Sequence, residues 1–336
     1  MLSRTPLSIL DLAPIRQGAT AADSFADSLR LARLADSLGF KRYWFAEHHN
    51  MESVASSATA VLIGHIAGGT STIRVGSGGI MLPNHAPLVV AEQFGTLASL
   101  YPGRIDLGLG RAPGTDQVTA MALRRNRMES VHDFPEDIRQ LQAYFSADNR
   151  TARVRAIPGE GLEVPIWILG SSTDSARLAA HFGLPYAFAS HFAPTYLQTA
   201  LRLYREGFQP SQTLTAPHTL ACVNVIAAET DEEAARLATS FYQLALGLIR
   251  NHRRPIQPPV DSMDGLWSDA ERAAVQQMMA YSFIGSGETV AAGLNAFLSD
   301  TGVTELMIVS HLFDPADKER SYRILARMKE LGQVAK

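Results

Sequence analysis

The sequence predicts an α/β chain wound as a (β/α)8 TIM barrel with an insertion in the seventh βα unit. Three observations predict it. Strand-like apolar runs alternate with helical patterns eight times along the chain. No shift of composition and no linker divides residues 1–336 into halves, so one barrel domain is expected. A proline-rich excursion at about 251–285 interrupts the seventh unit and borders the expected site. Eight is the count of a closed parallel barrel. An open doubly wound sheet shares the same local pattern and stays the structural alternative.

The units follow in order. "LSILDLA" (7–13) reads as a buried strand, and "DSFADSLRLARLADSLG" places Phe25, Leu29, Ala32 and Leu38 at helical spacing, with Gly39 as a C-terminal stop. "RYWFAE" and "ASSATAVLIGHIAGGT" form the second unit, "IRVGSGGIML" and "PLVVAEQFGTLASLYPG" the third. "RIDLGLG" is the fourth strand, joined by a long polar connection to the helix "FPEDIRQLQAYFSA". "VPIWILG" with "STDSARLAAHFG", then "PYAFAS" with "PTYLQTALRLYREGF", supply the fifth and sixth. "HTLACVNVIAA" with "TDEEAARLATSFYQLAL" opens the seventh, and "TELMIVS" (304–310) with "PADKERSYRILARMKELG" closes the eighth.

Composition bounds the function. A chain of 336 residues with 46% hydrophobic and 19% charged residues can bury a large core. Its net charge of −3, with only the local pairs Arg124-Arg125 and Arg253-Arg254, gives no nucleic-acid surface. The N-terminus lacks a signal-peptide core, and no apolar segment reaches the length of a membrane span, so a cytoplasmic protein is expected. The lone Cys222 sits in an apolar strand run, where a buried, inert thiol is expected in a reducing compartment.

In such a barrel, chemistry gathers at the C-terminal ends of the strands. Here those ends carry Glu47-His48-His49, Ser77-Gly78-Gly79, Gly110-Arg111, Gly170-Ser171-Ser172, Ser190-His191 and Ser310-His311. Strand alternation sets Trp44, Ala46 and His48 on one face and Tyr43, Phe45 and Glu47 on the other. If Ala46 points into the barrel, His48 does too. A lone histidine at a strand end is more often structural than catalytic, and no local ligand spacing supports a metal.

Three other stretches carry chemistry. In "GSSTDSARLAAHFG" the hydroxyls of Ser171, Ser172 and Ser175 surround a helix N-terminus, which suits either simple capping or a phosphate cradle. In "RIDLGLGRAPG" a dinucleotide fingerprint would need glycine where Pro113 stands, whereas Arg111 could fork onto a phosphate or onto a surface carboxylate. In "VGSGGIMLPNHAPL" the glycines Gly78 and Gly79 imply either a flat ring against the strand or a bulge that turns the barrel.

Taken together, "LDLAPI", "RYWFAEHHNM", "IRVGSGGIMLPNHAPLVVAEQFGTL", "YPGRIDLGLGRAPG", "ILGSSTDSARLAAHFGLPYAFASHFAP" and "IGSGETV" resemble bacterial luciferase-like flavin monooxygenases of the single-chain subgroup. The resemblance covers most of the chain. It implies reduced FMN as cofactor, supplied by a separate NAD(P)H:flavin reductase. It also implies Arg111, Ser171, Ser172 and Ser175 around the phosphate, and a non-prolyl cis peptide at Gly78-Gly79, next to Ser77, against the flavin ring. His48, with His49 beside it, is the implied catalytic histidine. The luciferase α chain has a glutamate where this chain has Ser171.

The implied reaction adds O2 to reduced FMN, giving a C4a-hydroperoxide that oxygenates a small aldehyde- or ketone-like substrate. Two alternatives accompany it: hydride transfer with the deazaflavin F420, and flavin binding without catalysis. His191, Phe192, Trp267 and the excursion are candidate substrate-lining residues. A homodimer is expected by the same resemblance, with no membrane or nucleic-acid partner.

Overall fold

A computed structural model describes residues 1–112, 114–124 and 133–334. Pro113 and Arg125, singled out in the sequence, lie outside these residues. The first half of the chain runs β1 (Leu7–Asp11), α1 (Ala21–Ser37), β2 (Arg42–Phe45), α2 (Thr59–Gly69), β3 (Arg74–Met81), α3 (Pro87–Leu100), β4 (Ile105–Gly110), α4 (Gln117–Arg124) and α5 (Phe134–Phe145). The second half runs β5 (Ile166–Gly170), α6 (Thr173–Phe182), β6 (Tyr186–Phe188), α7 (Leu197–Gly207), β7 (Thr219–Ala228), α8 (Asp231–Ile249), α9 (Asp269–Met278), β8 (Ser282–Ser286), α10 (Gly287–Thr301), β9 (Glu305–Val309) and α11 (Pro315–Val334).

Strands β1 to β6 pair in sequence order, all parallel. Strand β7 closes on β6, and β9 bridges β7 back to β1. That is the closed eight-stranded barrel the alternation predicted, and it excludes the open sheet. The ninth strand, β8, was not expected. It pairs with the outer half of β7, Asn224↔Ser282 through Ala228↔Ser286. At Asn224 it lies on the edge opposite β9, which pairs Asn224 with Val309. Strand β7 therefore carries β6 along its first half and β8 along its second.

Side chains sort by strand parity, as a closed sheet demands. Leu10, Trp44, Ala46, Trp167, Leu220, Cys222, Met307 and Val309 fill the interior. Tyr43, Phe45, Val75, Leu107, Ile168 and Tyr186 pack outward under the helices. Burial of each large side chain contributes roughly 1.5–3 kcal/mol.

The N-terminal floor of the barrel is ionic. Arg42 binds Asp106 at 2.7 Å and Glu305 at 2.8 Å, while Arg74 reaches Asp106 at 2.6 Å. The Arg42 guanidinium lies 4.7 Å from the Trp167 ring centroid. Arg42, Asp106 and Glu305 are almost fully buried, so each stands only because its partners replace water, while Arg74 is partly exposed.

Helix α1 shows where hydropathy misleads. Thr20 and Asp23 form a capping box, and Gly39 takes a φ of +71° just past its end, which glycine adopts freely. Phe25, Leu29 and Leu38 are only half-buried, whereas Ser24 and Ser28 are buried. Ser28 Oγ donates to Asp11 Oδ2 at 2.6 Å and Ser24 Oγ to the Pro14 carbonyl at 2.7 Å. Satisfied hydroxyls can face the barrel and rotate the buried stripe.

Candidate active site

The site is built where β2 ends. Glu47, 1% exposed, turns to the outside of the barrel and becomes a hub. Its carboxylate accepts from His49 Nε2 at 2.9 Å, from His85 Nε2 at 2.9 Å and from the Met81 N–H at 3.0 Å. Burial alone would raise this carboxyl, but the bonds from His49 and His85 outweigh it and bring it down to about 2. Glu47 thus ties the loop after β2 to the segment after β3. His49 is committed to that tie.

His48 has a different environment. Its Nδ1 is buried without a hydrogen-bond partner among the described residues. Burial pushes its imidazole down to about 4 against the pull of Glu47, and Arg253 of the excursion adds to the lowering. His191, after β6, feels the charge of both His48 and His311 and is pushed down by burial to about 3. His311, after β9, is held at about 4 by burial and by Lys318, and it stacks on Phe241 with centroids 5.0 Å apart. Strands β2, β6 and β9 therefore converge on a group of neutral imidazoles.

Asn224 holds one of them in place. Its Nδ2 donates to the His191 carbonyl at 2.7 Å and to Ser282 Oγ at 3.1 Å. Among the described residues, Asn224 Oδ1, His191 Nδ1 and Ser310 Oγ join His48 Nδ1 as buried polar atoms without partners. Such atoms are costly to leave unpaired, so a ligand with alternating donors and acceptors would relieve them. The sequence alone does not single out Asn224 or Phe241, and it places His311 among the strand ends where chemistry gathers without giving it a role. One amide in the wholly buried run of β7 was the available signal for Asn224.

The glycines of β3 serve the barrel itself. The Gly78–Gly79 peptide is cis, and the β3–β4 register shifts between Ser77 and Ile80. A Cβ on Gly78 would stand 2.9 Å from Leu10 Cδ1, and one on Gly79 would stand 2.7 Å from the Gly108 carbonyl oxygen. Ser77 spends its hydroxyl on the same bulge, donating to the Gly108 carbonyl at 2.8 Å and accepting from the Gly108 N–H at 2.9 Å. Packing thus requires glycine at 79, where the obstacle is backbone, whereas at 78 the Leu10 methyl can move aside.

At α6 the capping expectation is not met. Ser172 occupies the N-cap position but makes no side-chain capping bond. Ser175 Oγ donates to the Ser172 carbonyl at 2.8 Å and lies 3.1 Å from the Tyr186 hydroxyl. Ser171 is half-buried beside them. Arg111 approaches the first helical turn, with its Nη2 3.7 Å from Asp174 Oδ2, and both side chains are largely exposed. An exposed pair at that distance is weak, so the guanidinium is available to a stronger anion. The residues present fit a phosphate group.

Phe192 packs edge-on against His191, with centroids 4.8 Å apart, and is 53% exposed. Trp267 belongs to the cluster around Tyr242 and Met263 beneath the excursion. Cys222 is buried inside the barrel, and burial raises its thiol well above the usual range. Among the described residues no group of three or more His, Cys, Asp or Glu is placed to hold a metal ion, and no helix is long and apolar enough to cross a membrane.

A closed parallel barrel with its polar groups converging at the C-terminal mouth is the frame of a barrel enzyme. The particular kind follows from comparison: the luciferase-like monooxygenase family matches residues 5–305, and the chain belongs to that family of oxidoreductases. A Bacillus subtilis relative, "Uncharacterized protein YvbT", is 57% identical, and an Escherichia coli "Luciferase-like monooxygenase" is 50% identical. Each alignment covers 96% of both chains. The crystal structure of apo-MsnO8, 36% identical, superposes with a TM-score of 0.88 over 97% of this chain and 99% of that one.

Proposed function

We propose that this protein is an FMN-dependent monooxygenase that uses reduced FMN and O2 to oxygenate a small aldehyde- or ketone-like substrate. The observation that carries the reading is the pairing of two features of one mouth. An uncapped helix N-terminus faces Arg111 on one side, and neutral histidines with unpartnered Nδ1 atoms gather on the other. The first suits a phosphate, and the second suits a polar ring edge.

Reduced FMN, when bound, supplies the electrons that activate O2. The chain's own residues do the rest. Arg111 gives a guanidinium fork to the phosphate, and the free N–H groups of α6 with Ser171 and Ser172 complete its cradle, which Ser175 joins by turning its hydroxyl away from the Ser172 carbonyl. Ser77, Gly78 and Gly79 present a wall without side-chain bulk. Because His48 is neutral at pH 7, its Nδ1 can accept a hydrogen bond or a proton without first losing a charge. His49, fixed by Glu47, acts by holding the loop that presents His48. A flavin reductase supplies reduced FMN, a homodimer is the working unit, and the buried lone thiol suits a cytoplasmic setting.

An anaerobic titration with reduced FMN or reduced F420, followed by 18O2 and an aldehyde or ketone, tests the reading. Tight binding of reduced FMN and one 18O atom in the organic product is the expected result. Reduction of substrate by F420 without O2 would overturn it, and so would FMN binding without any product.

A further inference from the structure

The excursion opens with three arginines, and one of them is unspent. Arg250 donates to Glu271 at 2.7 Å and to the Leu266 carbonyl at 3.0 Å. Arg254 turns its Nε to His252 Nε2 at 2.6 Å. The Arg253 guanidinium is exposed and makes no hydrogen bond or ion pair among the described residues. Residues 250–260 contain no aspartate or glutamate, so the segment itself supplies no partner.

Backbone pairing sets where that charge stands. The Ile256 N–H donates to the Ile15 carbonyl and the Gln17 N–H to the Ile256 carbonyl, both at 2.8 Å, in a parallel bridge of Ile256 with Arg16. Pro255 biases Arg254 toward extended backbone, so the chain carries Arg253 back along the turn that leaves β1. That turn is bonded in its own right to the loop of His48. The Ile15 N–H donates to the Ser53 carbonyl, the Ala55 N–H to the Ala13 carbonyl and the His48 N–H to the Ser56 carbonyl. The charge of Arg253 is accordingly felt at His48. Around the ring of eight, β1 stands four places from β5 in either direction, which sets Arg253 across the mouth from the start of α6.

The carboxylates whose charge reaches the histidines are closed to Arg253. Glu47 is saturated on the outside of the barrel. Asp11 accepts from Ser28 at 2.6 Å, from the Ala13 N–H at 3.1 Å and from Lys318 at 3.4 Å. An unpaired guanidinium on pinned backbone, beside neutral imidazoles, gives that half of the mouth a single sign of charge. We infer that Arg253 is a specificity residue that anchors a carboxylate of the substrate, so that the molecule taken is a small organic anion whose uncharged, reacting end lies toward His48. A guanidinium fork meets a carboxylate with two parallel bonds, which an ammonium does not. This deepens the proposed monooxygenase reading and rests on it for the reaction, but not for the binding.

The test compares 4-oxopentanoate, 5-oxohexanoate and 6-oxoheptanoate with their primary amides, which keep the shape and lose the charge. Binding to the full chain is read by calorimetry, with and without FMN. The wild type should prefer the acid over its amide by about tenfold at one or more chain lengths, the size of a bond between charged groups. Arg253→Gln should abolish that preference, Arg253→Lys should keep part of it, and Arg254→Gln should leave it intact. Added salt should shrink the preference in the wild type and change nothing in Arg253→Gln. FMN affinity should be the same in all four proteins. An acid preference that survives Arg253→Gln overturns the inference. So does the lack of any preference in a protein that binds FMN, and that result leaves the flavin reading standing. A preference lost in Arg253→Gln, in a protein that binds no flavin, keeps the anchor and overturns the flavin reading.

Discussion

Glu47 and His48, adjacent in sequence, serve opposite sides of the barrel wall. The carboxylate of Glu47 is saturated by His49, His85 and the Met81 N–H, while His48 Nδ1 is buried without a partner among the described residues. One side chain fixes the loop, and the other is left free for a ligand. Replacing His48 with Asn should therefore leave FMN affinity within a few-fold and slow oxygenation by on the order of 10²–10⁴. Steady-state product formation under saturating reduced FMN measures it; unchanged turnover would remove His48 from the chemistry.

Glu47→Ala should act through structure. It strands the ring N–H groups of His49 and His85 and frees the Met81 N–H, at a cost of about 2–4 kcal/mol by loss of several bonds to a charged group. Chemical denaturation should show that loss together with a fall in turnover.

Acid should unfold the protein in two overlapping windows. His48, His191 and His311 have folded values depressed to about 4, 3 and 4, so above the ordinary histidine value they are neutral in both states. As pH falls below about 6.5 the unfolded chain takes up protons that the folded chain refuses, and stability drops until the folded values are reached. Glu47 contributes in the opposite chemical sense but the same direction. Its depressed value adds stability above the ordinary carboxylate range, lost as pH falls toward about 2. Unfolding midpoints between pH 7 and 4 should decline more shallowly in His191→Asn and His311→Asn than in the wild type.

Arg111→Ala should weaken FMN by roughly 10–100-fold, the size of a bond between charged groups, and leave riboflavin nearly unaffected. Flavin fluorescence titration compares the two. Equal losses for both flavins would reject the phosphate role.

The ionic floor supplies a control. Arg42→Met leaves Asp106 and Glu305 buried without their shared cation and should cost about 3–5 kcal/mol. FMN affinity of the folded fraction should not change.

Much of the barrel was legible because each unit pairs a short apolar run with a longer amphipathic one, and that rhythm survives local noise. Strand β8 was not, since "SFIGS" is short and flanked by residues that also make turns. Helix α10 escaped because Gly287, Gly293 and the polar Ser286-Gly287-Glu288 opening mask its buried Val290, Leu294 and Phe297. Helix α4 falls within what the sequence reads as a polar connection. Within the site, parity alone gave the inward face of β2 and its outward Glu47. The grouping of His48 with His191 and His311 was beyond local pattern, because it joins the ends of three strands far apart in sequence. The saturation of Glu47 by two histidines was likewise a tertiary fact.

Strand β7 changes partner midway, from β6 to β8, and Asn224 marks the change. The excursion accordingly returns as a strand latched to the barrel at a fixed register. Residues 250–281, bonded back through Ile256 to Ile15 and Gln17 as well, are thus clipped to the permanent scaffold at two points. For anyone re-aiming this protein at a new molecule, that stretch is the part to swap, and Asn224 with Ser282 is the fitting to preserve.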